Sequence, residues 1–121
     1  MTPEELLFFD AMPASLPLYG ALRTHLLAAC PGTTIKVSKT QISLSESHLY
    51  ACISLPRRKK DAGSLVLTLG LPGEVQHPLL MAVSQPYPGR YTHHFLLRSK
   101  NDFTPELLQF ISLAHAFALR K

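Results

Sequence analysis

The apolar residues of this chain change their spacing twice. Up to Ala29 they recur every three or four positions, from Thr33 to Arg98 they mostly alternate, and after Phe103 the longer spacing returns. Alternation is the mark of strands with one buried face, and the longer period that of amphipathic helices, so the pattern predicts helices bracketing a run of strands. The most regular strand has Leu65, Leu67, Leu69 and Leu71 on one side with Val66 and Thr68 opposite.

Capping chemistry places the helix ends. Thr2-Pro3-Glu4-Glu5 combines an N-cap hydroxyl, a proline at the first helical position and a glutamate that reaches back to the cap amide, which predicts a short helix to about Asp10. Met12-Pro13-Ala14-Ser15 interrupts it, and Ser15 is the expected cap of a second helix, Leu16 to Ala29, with Leu18, Leu22, Leu26 and Ala29 on one side. Cys30-Pro31-Gly32 ends that helix. Thr104-Pro105-Glu106 repeats the capped start. Behind it Leu107, Ile111, Ala114 and Ala118 form one stripe beside Leu108 and Phe110, and Phe103 is placed to staple onto Leu108.

Between the helices, Ile35 and Val37 share a face and Ile42 and Leu44 alternate with the opposite parity, so a turn or bulge near Ser38-Lys39-Thr40 joins a hairpin. After the turn Ser45-Glu46-Ser47, Leu49, Ala51, Ile53 and Leu55 read as one face and His48, Tyr50, Cys52 and Ser54 as the other, up to Pro56. Residues 56–63 read as an exposed loop. From Pro72 to Pro88 the pattern is ambiguous, and Leu79 to Val83 fits a short helix or a strand before the turn Pro86-Tyr87-Pro88-Gly89. A further strand follows from Arg90 to Arg98. The order implies an α+β fold: a mainly antiparallel sheet of four to six strands, covered on one face by the N-terminal helices and a C-terminal helix.

Length and composition narrow the class. One domain spanning residues 1–121 is expected, with enough chain to bury a core unaided. Hydrophobic residues at 46% and charged residues at 17% exclude a disordered chain. Apolar runs are far shorter than the ~18 residues of a membrane span, so no membrane partner is expected. The start Met1-Thr2-Pro3-Glu4-Glu5 is acidic where an export signal is basic. Two cysteines, Cys30 and Cys52, are too few for a disulfide framework. These features lead to a cytoplasmic expectation. Twelve Lys and Arg against eight Asp and Glu give a net charge of +4, which permits an acidic partner such as nucleic acid.

The segment Pro88-Gly89-Arg90-Tyr91-Thr92-His93-His94-Phe95 concentrates the candidate chemistry. In a strand Tyr91, His93, Phe95 and Leu97 share one face and Arg90, Thr92, His94, Leu96 and Arg98 the other. The two histidines therefore point apart, which excludes a metal held by both, and no metal or cofactor is expected. His93, among apolar neighbours, reads as a core histidine. Arg90, His94 and Arg98 read either as an anion-binding face or as a solvated one. The run Arg57-Arg58-Lys59-Lys60 suits phosphate backbones, as a nucleic-acid contact, or is simply solvated. Lys39 and Gln41, with Lys36, are candidates for the rim of a site if the second strand begins at Lys39.

Acids are scarce for catalysis. Glu4, Glu5, Asp102 and Glu106 sit at helix starts, where the helix dipole favours them, and Asp10, Glu46, Asp61 and Glu74 are scattered among turns. No paired carboxylates, glycine-rich phosphate loop or nucleophile elbow is present. Cys52, mid-strand, reads as an apolar filler.

Lys39-Thr40-Gln41-Ile42, the strand Leu65 to Pro72 and above all Pro86 to His94 resemble a bacterial family of domains of unknown function, numbered fifty-six fifty-five and sometimes labelled a predicted transport protein. The similarity spans Leu18 to Phe117. It implies a small α+β domain, marks Lys39, Gln41, Arg90, Thr92, His93 and His94 as motif positions, and brings no activity. The leading expectation is a non-enzymatic binding module for an anionic ligand or nucleic acid, using Lys39, Gln41, Arg90, Thr92, His93, His94 and Arg98. Two alternatives stand beside it. One is an enzyme with His93 or His94 as general base in a pocket completed by Tyr91, Arg90 and Lys39, and the other is a homodimeric interaction module pairing through a strand edge.

Overall fold

The computed structural model describes residues 1–120. Three helices, α1 (Pro3–Phe8), α2 (Leu16–Ala29) and α3 (Pro105–Leu119), bracket six strands: β1 (Thr34–Val37), β2 (Ile42–Glu46), β3 (His48–Ser54), β4 (Leu65–Leu71), β5 (Leu80–Tyr87) and β6 (Arg90–Leu97). The strands form one antiparallel sheet in the order β1-β2-β3-β4-β6-β5. This is the α+β architecture that the spacing implies, with the helices on one face.

Local chemistry accounts for most of the boundaries. The Thr2 hydroxyl accepts from the Glu5 amide while Glu5 Oε1 accepts from the Thr2 amide, closing the capping box of α1. Thr104 Oγ1 accepts from the Leu107 amide at the start of α3. The β5–β6 hairpin turns through Pro88-Gly89, where Gly89 takes φ +84°, a conformation that costs other residues about 1–2 kcal/mol. Leu65, Leu67, Leu69 and Leu71 are all buried toward the helices, where Leu107, Ile111, Ala114 and Ala118 of α3 meet them.

Three features differ from the reading of the sequence, and one ambiguity is resolved. Ser15 makes no side-chain cap to α2; its hydroxyl instead donates to the Ser64 carbonyl, tying the start of the helix to the start of β4. Ala29 is exposed and Tyr19 takes a place in the buried stripe. In β3 the register passes from Leu44↔Ala51 to Ser45↔Leu49, leaving Tyr50 as an extra residue. That bulge reverses the parity of the strand's first half, burying Tyr50 and leaving Leu49 40% exposed. The ambiguous segment resolves as β5, an edge strand whose few inward residues give little periodicity, and whose Pro86 sits where a missing ladder donor is tolerated.

Because β6 lies between β4 and β5, residues 72–79 must cross β6 to reach the edge. They do so on the helix side. The His77 ring stands edge-on to Phe95 of β6 and Phe110 of α3, at 5.7 and 5.9 Å. Its Nδ1 accepts from the Leu79 amide, which leaves Nε2 to face Glu106 at 3.3 Å. The helix face of the sheet is thereby sealed by helices and by this strap, while the opposite face has no such cover.

Candidate functional site

The antiparallel registers align one cross-strand row on the uncovered face: Lys36, Ser43, Cys52, Thr68, His94 and Ala82. A parallel row alongside it holds Ser54, Val66 and Leu96. The first row is polar because alternation turns these residues away from the leucine ladder. Within it Thr68 Oγ1 and His94 Nδ1 are paired at 2.9 Å. His94 Nε2 has no hydrogen-bond partner among the described residues. Burial lowers the His94 pKa below its ordinary 6.5, which favours the neutral ring at pH 7.

Over the Val66, Thr68, His94 and Leu96 floor lies a hollow of about 650 Å³. The loop that leaves β3 forms one wall with Arg57, Arg58, Lys60 and Asp61, and Arg98 follows directly on β6 at the same end. Leu55, Pro56, Met81 and Ala82 complete the apolar part, with Gln41 and Ser54 at the margin. None of the four cations is in an ion pair among the described residues, and Asp61 is the one carboxylate in the lining. The two basic features that stand forty residues apart in sequence, the loop and the β6 face, meet in this one hollow.

The other candidates part company with it. Lys59 belongs to the loop but does not line the hollow. Lys39 precedes β2 rather than beginning it, and faces a separate open depression against α1 with Leu7, Phe8 and Asp10, so Lys39 and Gln41 do not share a rim. Arg90 and Thr92 lie on the uncovered face without lining the hollow. The Arg90 guanidinium rests over Gly70, where an added Cβ would come within 2.6 Å of it. Its charge, with a hydrogen bond from Ser43, partly opposes the burial that raises the pKa of the Cys52 thiol.

His93 is on the opposite face, fully buried. Its Nε2 accepts from the Val75 amide of the strap at 3.0 Å, and its Nδ1 meets the Tyr91 carbonyl at 3.1 Å and so must donate. Both nitrogens are used, which fixes a neutral ring in one tautomer. The grouping of His93, Tyr91, Arg90 and Lys39 around one pocket is not what the fold brings together.

Two polar clusters had no local signal in the sequence. Glu5, buried beneath α2, accepts from Tyr19 and from Arg23 Nε at 2.7 Å. Burial alone raises its pKa, but the hydrogen bonds from Arg23, Tyr19 and the Thr2 amide and the Arg23 charge outweigh it and hold the carboxyl at about 2. At the far side of the helix face, Tyr50 pairs with Thr33 at 2.7 Å and His115 with Glu46 at 2.9 Å. Burial pushes the Tyr50 phenol up to about 12. Among the described residues no group of three His, Cys, Asp or Glu side chains converges as a metal site requires, and no helix is long and apolar enough to cross a membrane.

Comparison with known proteins gives one match. The profile of the family described as "Domain of unknown function (DUF5655)" matches residues 5–118. No curated protein matches the chain, and no solved structure does. A match over nearly the whole chain places it in that family, whose description names no activity and gives no support to a transport role.

Proposed function

We propose that this member of the DUF5655 family is a binding module for an anionic ligand, taken into the hollow on the helix-free face of its sheet. One observation carries the reading: Arg57, Arg58, Lys60 and Arg98 surround a single concavity with one carboxylate among them and no ion-pair partners. Cations left unpaired around a concave surface raise the local concentration of anions and hold planar oxyanions through guanidinium forks. Gln41, Thr68 and His94 supply hydrogen-bonding groups on the floor and margin. The one hydroxyl–imidazole pair in the lining, Thr68 with His94, is read here as a hydrogen-bonding floor, and binding without chemistry is the reading we favour.

Titration of ¹⁵N-labelled protein with inorganic phosphate at low salt tests it. The amides of residues 57–61 and 94–98 should shift, and Arg58→Ala with Arg98→Ala should weaken binding at least tenfold without changing the melting temperature by more than a few degrees. An electrophoretic shift with single- and double-stranded oligonucleotides runs alongside. Retardation that steepens as salt falls would move the ligand to nucleic acid. Absence of response to phosphate, sulfate and oligonucleotides alike sinks the reading.

A further inference from the structure

The hollow is not uniformly polar, and its two ends differ in kind. Arg57, Arg58, Lys60 and Arg98 lie at the end where β3 leaves the sheet and β6 finishes. Deeper along β6 the surface is aliphatic, with Leu96 beside Val66 and with Met81, 56% exposed, alongside. His94, with its accessible Nε2, stands two residues beyond Leu96. At ~3.3 Å per strand residue, about 13 Å of sheet separates Arg98 from His94. Leu96 is itself only 7% exposed, so Met81 and the half-buried Val66 are the aliphatic surface that an inorganic anion seated among the cations leaves uncovered.

We infer that the ligand is an alkyl phosphate, a soluble amphiphile whose phosphate sits among the arginines and whose aliphatic body lies on Val66, Leu96 and Met81. The inference rests on the reading of the hollow as an anion site. Three observations select this class. Four cations against a single carboxylate suit a dianionic head better than a single charge. The lining holds no Phe or Tyr, and its one ring, the His94 imidazole, is already paired with Thr68, so a nucleobase finds little to stack on there. The volume of about 650 Å³ falls within the range of small-ligand sites and is far more than a bare phosphate fills. Because the cations line a concave wall rather than a flat or convex patch, the source is a free ligand and not a bilayer surface.

Four probes decide it: inorganic phosphate, n-hexyl phosphate, adenosine monophosphate and vesicles containing phosphatidic acid, each titrated against the full chain by calorimetry at fixed low salt. Hexyl phosphate should bind at least tenfold more tightly than phosphate, the effect of burying about two methylene groups. Met81→Gln, an exposed position, and Val66→Thr, a near-isosteric one, should each cut that advantage to threefold or less. Equal affinity for phosphate and hexyl phosphate overturns the aliphatic body and leaves the anion site standing. Adenosine monophosphate binding more tightly than hexyl phosphate also overturns it, as does binding to the vesicles without binding to hexyl phosphate. No response to any probe removes the anion site and the inference together.

Discussion

His93 and His94 are neighbours in sequence and occupy opposite faces of one strand, and the two faces treat the same side chain in opposite ways. On the helix face His93 is buried, with each ring nitrogen committed to a backbone group. On the uncovered face His94 has one nitrogen paired with Thr68 and the other accessible above a hollow walled by cations. A polar group sealed in a core must be satisfied by the protein itself. One on an open face can be left for something else. A histidine's role here is set by strand parity, and not by the adjacency of the pair in sequence.

The largest test of the contrast is a pair of alanine substitutions. His93→Ala leaves the Val75 amide without its acceptor and opens a cavity under the strap, and should cost about 3 kcal/mol. His94→Ala should cost less than about 1 kcal/mol, as an open-face change does. Urea unfolding of the two variants measures both, and equal losses would erase the distinction between the faces.

Acid provides a second, slightly smaller test, because Glu5, the carboxyl held at about 2, lies on the helix side. Glu5 titrates at about 2 in the folded protein against an ordinary 4.5. Its contribution to stability is therefore complete above pH 4.5 and lost as the pH falls toward 2. The loss should reach about 2–3 kcal/mol and should be largely absent in Glu5→Gln, which begins from a lower stability at pH 7. Unfolding at a series of pH values from 7 to 2 checks it, and a parallel fall in both proteins would assign the acid sensitivity elsewhere.

The smallest effect sharpens the uncovered face. Gly70→Ala pushes the Arg90 guanidinium aside at little cost in stability, since the clash is with the end of a flexible side chain. Moving that charge should raise the pKa of the Cys52 thiol further and slow its alkylation by iodoacetamide near pH 8. Cys30, buried, contributes little to the rate. An unchanged rate would mean that Arg90 does not act on Cys52.

Much of the fold was legible because its determinants are local. The Thr2 and Thr104 caps, the leucine ladder of β4 and the Pro88-Gly89 turn each declare themselves within a few residues. The exceptions are long-range. Ser15 looks like a cap by its position, but its hydroxyl is taken by Ser64, forty-nine residues on. Tyr50 breaks an apparently regular alternation because the bulge is set by pairing with β2, and β5 is silent because an edge strand buries little. The hollow follows the same rule: Arg58 and Arg98 were each visible as basic positions, but only the pairing of β3, β4 and β6 joins them. Lys39, read as their companion, is held elsewhere by the turn that precedes β2.

The strap over β6 has a consequence for the order of assembly. β4, the most apolar strand, is interior only because β6 pairs with it, and β6 follows it in the chain by nearly twenty residues. A chain emerging from the ribosome therefore displays the leucine ladder with one unpaired flank until Arg90–Leu97 appears. The strand that closes the flank is joined to its own edge partner, β5, by the tight turn at Pro88-Gly89. Slowing synthesis between Leu71 and Arg90 would prolong the interval in which two nascent chains can pair with each other instead.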